Sequence, residues 1–167
     1  MKLSFFLGLL SFIYLNPTMA QTEFDKPYIS IGVVVTDLEA SLDFYTNVIG
    51  MKELGEFSVT DEMGQKTGLT GGKAFDVKVL KLYDDPNATE YKLMSFGNEK
   101  NEEEKHIQDR NGMRYITIFY KSLDALTQRL EDNNIPFLSK KPTLIPDGRR
   151  FILVQDPDGT FIELIGN

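Results

Sequence analysis

The stretch Ser30-Ile-Gly-Val-Val-Val-Thr-Asp37-Leu-Glu-Ala-Ser-Leu-Asp-Phe-Tyr45 returns later in the chain as Tyr115-Ile-Thr-Ile-Phe-Tyr-Lys-Ser122-Leu-Asp-Ala-Leu. Each copy runs from an alternating apolar strand into a helix, with Asp37 and Ser122 as the capping residues. Ile31 and Ile116, Val33 and Ile118, Leu38 and Leu123, and Ala40 and Ala125 all stand 85 positions apart, and the register slips to 86 at Ile49 and Ile135. The later parts of the two copies also match, because Asp85-Pro86-Asn87-Ala88-Thr89 and Asp156-Pro157-Asp158-Gly159-Thr160 are separated by 71. A duplicated module explains both offsets.

Working outward, Leu38, Leu42, Tyr45 and Ile49 fall at helical spacing and Gly50 ends the helix. Strands are expected over Met51–Val59, Phe75–Tyr83 and Tyr91–Phe96, with a glycine-rich, mobile-looking stretch from Gly64 to Gly72. In the second copy, Leu123, Leu126 and Leu130 mark the helix. Strands are expected over Arg114–Tyr120, Pro136–Ser139, Arg149–Gln155 and Thr160–Ile165, with Asp156-Pro157-Asp158-Gly159 as a tight turn. Both copies therefore read βαβββ. They occupy about 28–97 and about 112–166, and residues 97–111 form a charged connector with a short exposed helix.

The 167 residues, 41% of them hydrophobic, suit one domain over residues 28–167 once the first 20 are set aside. Lys2, the apolar run Leu3–Leu15 and Thr18-Met19-Ala20 have the layout of a secretory signal peptide cleaved after Ala20. The run is shorter than the roughly 20 residues of a spanning helix. A secreted or periplasmic protein with no membrane span after cleavage is expected. With 25 acidic residues against 18 basic ones, the chain lacks the basic face that nucleic acid needs. The absence of cysteine removes disulfides, thiolate nucleophiles and sulfur-ligated metals.

Asp37-Leu38-Glu39-Ala40-Ser41-Leu42-Asp43-Phe44-Tyr45, Ile49-Gly50-Met51 and Asp156-Pro157-Asp158-Gly159-Thr160-Phe161-Ile162-Glu163-Leu164 resemble the vicinal oxygen chelate superfamily. Its members include glyoxalase I, extradiol dioxygenases, fosfomycin-modifying enzymes and bleomycin-resistance proteins. The resemblance implies an α+β fold in which two βαβββ modules form an open, cupped β-barrel, and many members are dimers. It also implies a divalent metal held by a histidine on the first strand and a glutamate on the last strand of each module. Carried onto this chain, the histidine slots fall at Ser30 and Tyr115, and the glutamate slots at Glu163 and Lys92, or Leu93 if the register slips by one.

Of these only Glu163 is a metal ligand, and a transition-metal site needs several. No cofactor is expected on this reading, although a divalent metal at an atypical site is the alternative. Lys92 and Glu163 are expected either to pair across the cup or to point separately into solvent. The only histidine, His106, sits in the charged connector and reads as a surface residue, which leaves no Ser-His-Asp triad. Gly71-Gly72-Lys73 lacks the remainder of a phosphate loop, Asn87-Ala88-Thr89 is explained by its turn, and Glu102-Glu103-Glu104 reads as a solvated face.

Period-2 geometry turns Ser30 to the cup together with Gly32 and Val34, and Tyr115 together with Thr117 and Phe119. The expected ligand pocket comprises Ser30, Lys92, Tyr115, Thr117, Phe119, Arg150 and Glu163, with Tyr115 and Glu163 as the candidate acid and base if the protein is an enzyme. Two functions follow. One is metal-free binding of a small organic molecule; the other is a glyoxalase-type lyase or isomerase reaction. A scaffold presenting a surface to a protein partner is a third.

Overall fold

The computed structural model describes residues 23–140 and 143–167. The expected signal peptide lies outside these residues. Two four-stranded sheets make up the fold. The first contains β1 (Ser30–Val35), β2 (Lys52–Val59), β3 (Phe75–Lys81) and β4 (Glu90–Ser95), and the second β5 (Tyr115–Phe119), β6 (Thr143–Leu144), β7 (Arg150–Gln155) and β8 (Phe161–Gly166). Their orders are β1-β4-β3-β2 and β5-β8-β7-β6, so the modules have one topology. In each, the first strand runs parallel to the last and forms an edge. No strand pair among the described residues joins the sheets, which leaves an open cup rather than a closed barrel.

Helix α1 (Leu38–Asp43) begins where the Asp37 carboxylate accepts the N–H of Ala40 at 3.1 Å. It continues as a π-helical turn, Phe44–Ile49, that stops at Gly50 with φ of 94°. That wider turn brings Phe44, Tyr45, Val48 and Ile49 together into the core. In the second module α3 (Asp124–Asp132) buries Leu126 and Leu130, while Ser122 Oγ accepts the N–H of Asp124.

The two helices and the helix-facing sides of both sheets share one core, in which Tyr45, Ile49, Leu93, Leu126, Leu130 and Leu164 are buried. Truncating Leu93 or Leu164 to alanine there costs about 2–5 kcal/mol. Side chains alternate with burial along the first strands. Ile31, Val33 and Val35 turn to the core while Ser30, Gly32 and Val34 are exposed on the opposite, cup-side face. Ile116 and Ile118 likewise leave Tyr115 and Phe119 outward.

Two expectations need correction. The stretch from Gly64 to Gly72 begins inside a helix, α2 (Asp61–Thr67), which Thr60 caps through the N–H of Met63 and Gly68 ends at φ of 74°. Pro136–Ser139 is not a strand. Leu138 N–H donates to Leu153 O and Ser139 Oγ accepts the Leu153 N–H at 3.0 Å, without a continuing ladder, and the short partner strand of β7 lies further on, at Thr143–Leu144. The connector is exposed as its charge predicts, with Glu104 alone partly buried, and it is tied down where Gln155 Nε2 donates to Glu104 O at 2.9 Å and Arg114 Nε to Ile107 O at 3.1 Å. Its one helical piece is the 3-10 turn Ile107–Asp109.

Candidate functional site

Register fixes the family slots. Lys92 lies beside Gly32 and Glu163 beside Thr117, so positions 92 and 163 are equivalent and Leu93 is a core residue. Ser30, Lys92 and Glu163 are each engaged within their own sheet. Ser30 Oγ donates to Glu90 Oε2 at 2.7 Å, and Lys92 Nζ lies 3.2 Å from the same oxygen. The Ser30 hydroxyl, then Lys92, hold the Glu90 carboxyl below the ordinary carboxylate range. Glu163 Oε2 accepts the Thr117 hydroxyl at 2.7 Å. Of the two expectations for Lys92 and Glu163, pairing across the cup is not what is found: Lys92 meets Glu90 and Glu163 meets Thr117.

The four slots present a hydroxyl, an ammonium, a phenol and one carboxylate. An ammonium repels a dication, and neither alcohol is a strong ligand at neutral pH, so this set does not fit the superfamily's metal. Among the described residues no group of three or more His, Cys, Asp or Glu is placed to hold a metal ion. His106 is exposed and lies 3.9 Å from Asp109.

Arg150 does not belong to the expected pocket. It stands beside Gly166, one residue out of phase with the cup-side positions Phe151 and Leu153, which neighbour Ile165 and Glu163. Its guanidinium bonds Asp124 at the start of α3, at 2.7 Å, and the backbone of Asn167. That contact holds the Asp124 carboxyl below its usual range. The cup-side arginine is Arg149, whose guanidinium lies 5.4 Å from the centre of the Phe119 ring.

Two cavities lie where the free edges of β1 and β5 meet. A polar one of about 320 Å³ is bordered by Gly32, Val33 and Val34 of β1, by Tyr115, and by Gly159 and Thr160 of the Asp-Pro turn. The connector walls it. Arg114 and Arg110 both engage Glu104 there, the latter at 3.2 Å, and Arg114 also lies 5.8 Å from the Phe161 ring centre. The other, of about 300 Å³, is bordered by Ile116, Thr117 and Ile118 of β5 and by Ala88 and Thr89. The offsets 85 and 71 relate the two. Of the expected pocket, Tyr115 borders the polar cavity and Thr117 the other; Ser30, Lys92, Phe119 and Glu163 border neither.

The Asp-Pro turn was expected only as a turn, yet it fastens the modules together. Asp158 accepts the N–H of Thr36 at 3.1 Å and its hydroxyl, with Ser41 Oγ at 3.5 Å. Asp156 accepts the Tyr45 hydroxyl at 2.8 Å. Burial, first of all, raises the Asp156 pKa and pushes the Tyr45 and Tyr91 phenols well above their ordinary values. The acidic turn and the tyrosine of the helical repeat were both visible in the sequence, but nothing in their spacing paired them.

Two equivalent βαβββ modules, with first and last strands side by side, define a paired-module α+β protein. A model of the Glyoxalase/Bleomycin resistance protein/Dioxygenase superfamily matches residues 28–164, and the chain belongs to that superfamily. The uncharacterized protein YwbC of Bacillus subtilis (strain 168) is 25% identical over 132 residues, covering 79% of this chain and 90% of its own. A glyoxalase family protein from Bacillus cereus superposes with a TM-score of 0.68 at 17% identity, over 89% of this chain and 97% of that one. The trypanothione-dependent glyoxalase I of Leishmania major gives 0.55 at 23% identity, over 82% and 84%. At these identities the structural likeness shows the fold alone.

Proposed function

We propose that the mature chain acts outside the cytoplasm and binds a small organic molecule in a metal-free cup. The observation that carries this reading is the polar cavity, where Gly32 and Val34 of one module face Tyr115 of the other beneath the connector. Its volume falls at the small end of small-molecule sites, and its lining, which includes Glu102, Glu104, Arg110 and Arg114, suits a polar ligand. Gly32 offers the test, because a Cβ there would meet Met94 Cε at 3.5 Å, an ordinary contact. Gly32→Leu therefore adds bulk at the cavity's border from a position whose backbone accepts a Cβ. A screen of small organic molecules by thermal shift should yield ligands that stabilise the native chain and fail on Gly32→Leu and Tyr115→Ala. Ligands that bind the variants equally well would refute the site.

The glyoxalase-type alternative rests on Tyr115 and Glu163, which share the cup-side face of β5 and β8 at diagonal positions. Turnover lost in both Tyr115→Phe and Glu163→Gln would support it over simple binding. The cup faces also leave Val34, Phe57, Tyr115 and Phe119 exposed, an apolar surface that a second copy would cover. A homodimer is accordingly part of this reading, and light scattering on the purified chain tests it. Among the described residues no helix is long and apolar enough to cross a membrane. Amino-terminal sequencing of the exported protein should begin at Gln21.

A further inference from the structure

Residues 98–111 of the connector join neither sheet and, Glu104 apart, are exposed. Gly97 and Gly112 stand at the two ends with φ of 69° and 105°, where glycine is free of strain. Among the described residues the segment makes no backbone–backbone bond to either sheet. It is fastened at two residues instead. Gln155 Nε2 donates to Glu104 O, Arg114 Nε donates to Ile107 O, and Arg114 Nη2 meets Glu104 Oε2.

Beneath these contacts lies Phe161. Ile162 and Leu164 of β8 point into the core, so Phe161 turns to the cup side, opposite Gln155 of β7. It is nevertheless fully buried, whereas the equivalent position 71 residues earlier holds the partly exposed Glu90. The Arg114 guanidinium lies 5.8 Å from the Phe161 ring centre, with its side chain only 11% exposed. Its counter-charge, Glu104, is carried on the connector. Both residues border the polar cavity. Of the other charged residues there, Glu102 and Arg110 also belong to the connector, and Asp158 is engaged by Thr36.

The connector therefore occupies Arg114 Nε and Nη2 together, the edge of a guanidinium that grips a carboxylate with two parallel bonds. Lifting the segment frees both donors at once. It also strips a largely desolvated cation of its partner, which is costly unless another anion takes that place. We propose that residues 98–111 form a strap over the polar cavity, latched by Glu104, and that the cavity's ligand is an anion whose carboxylate displaces Glu104 from Arg114. This rests on the polar cavity being a binding site and adds the charge of the ligand and its way in. A neutral molecule cannot compensate Arg114 and leaves the strap shut.

Propionate has the atoms of the Glu104 side chain, and propionamide is its neutral counterpart. Each is titrated into the full chain and followed through the Arg114 Nε–H resonance. Glu104→Ala should bind propionate about tenfold more tightly than wild type, where a tethered carboxylate holds the place. Propionamide should not bind, and adding Arg114→Met should abolish propionate binding. Amide hydrogen exchange over residues 98–111 should quicken severalfold in Glu104→Ala, while β4 and β5 keep their protection and so report an intact fold. Equal propionate affinity in wild type and Glu104→Ala, no propionate binding, equal binding of propionamide, binding that survives Arg114→Met, or unchanged exchange in the strap would each overturn the proposal. None of these readouts uses the Gly32→Leu screen. Neutral ligands from that screen that are indifferent to Arg114→Met would keep the cavity as a site and overturn the anion.

Discussion

The Tyr45 phenol of the first module donates to Asp156 Oδ2 of the second at 2.8 Å, with both residues buried. The Tyr91 hydroxyl lies 2.8 Å from that of Tyr45 and donates into it, since the Tyr45 proton is already committed. Asp156 Oδ1 accepts the N–H groups of Asp158 at 3.0 Å and Thr160 at 2.8 Å. A carboxylate withdrawn from water thus keeps both oxygens partnered.

Removing one partner should be costly. Tyr45→Phe strips Oδ2 of its donor and leaves the Tyr91 hydroxyl without an acceptor, so a loss of about 1–3 kcal/mol is expected. Urea denaturation followed by far-UV circular dichroism measures it, and a loss below experimental error would show that water replaces the phenol.

The pH dependence follows from the raised pKa of Asp156, caused chiefly by burial. In the folded chain this group binds its proton more tightly than in the unfolded chain. Its contribution to stability is full below the unfolded value of about 3.9 and is lost as pH rises through the higher folded value. Asp156→Asn should flatten the stability profile in that window. A profile identical to wild type from pH 4 upward would show that other groups govern it.

Arg129 of α3 donates to Val48 O at 2.8 Å, and Tyr120 donates to Ile49 O at 2.8 Å. These carbonyls end the π-helical turn, where a cation also complements the helix dipole. Arg129→Leu should therefore cost about 1.5–3 kcal/mol. Tyr120→Phe removes a neutral donor whose pKa burial pushes up to about 12, and the smaller cost of about 1 kcal/mol is expected. Thermal melting of both variants checks the order.

Elemental analysis of protein purified without chelator should find substoichiometric metal, and EDTA should leave the melting temperature unchanged. A ligand that binds only the native state raises that temperature when present, and its removal lowers it. A chelator-induced drop would send the search for ligands to His106 and the connector carboxylates.

The duplication was legible because the apolar alternation of Ile31–Val35 and Ile116–Ile118 sets the period of a strand, and register preserves the offsets of 85 and 71. Those offsets place Lys92 and Glu163 at the equivalent positions that pairing shows. Local patterning stopped there. The glycines at 64, 68, 71 and 72 suggested mobility, but Thr60 capping and acidic residues at the helix start outweighed Gly64 within α2. Arg150 was misplaced because Arg149 and Arg150 are adjacent, and one residue of phase exchanges the two faces of a strand. The Tyr45–Asp156 contact spans 111 positions and carries no local signature.

That contact also sets an order of events during synthesis. The first module leaves the ribosome with Tyr45 and Tyr91 already made, but the carboxylate that receives the Tyr45 proton follows 111 positions after Tyr45. The hydroxyl pair of the first module therefore stays without its acceptor until the Asp-Pro turn of the second has emerged.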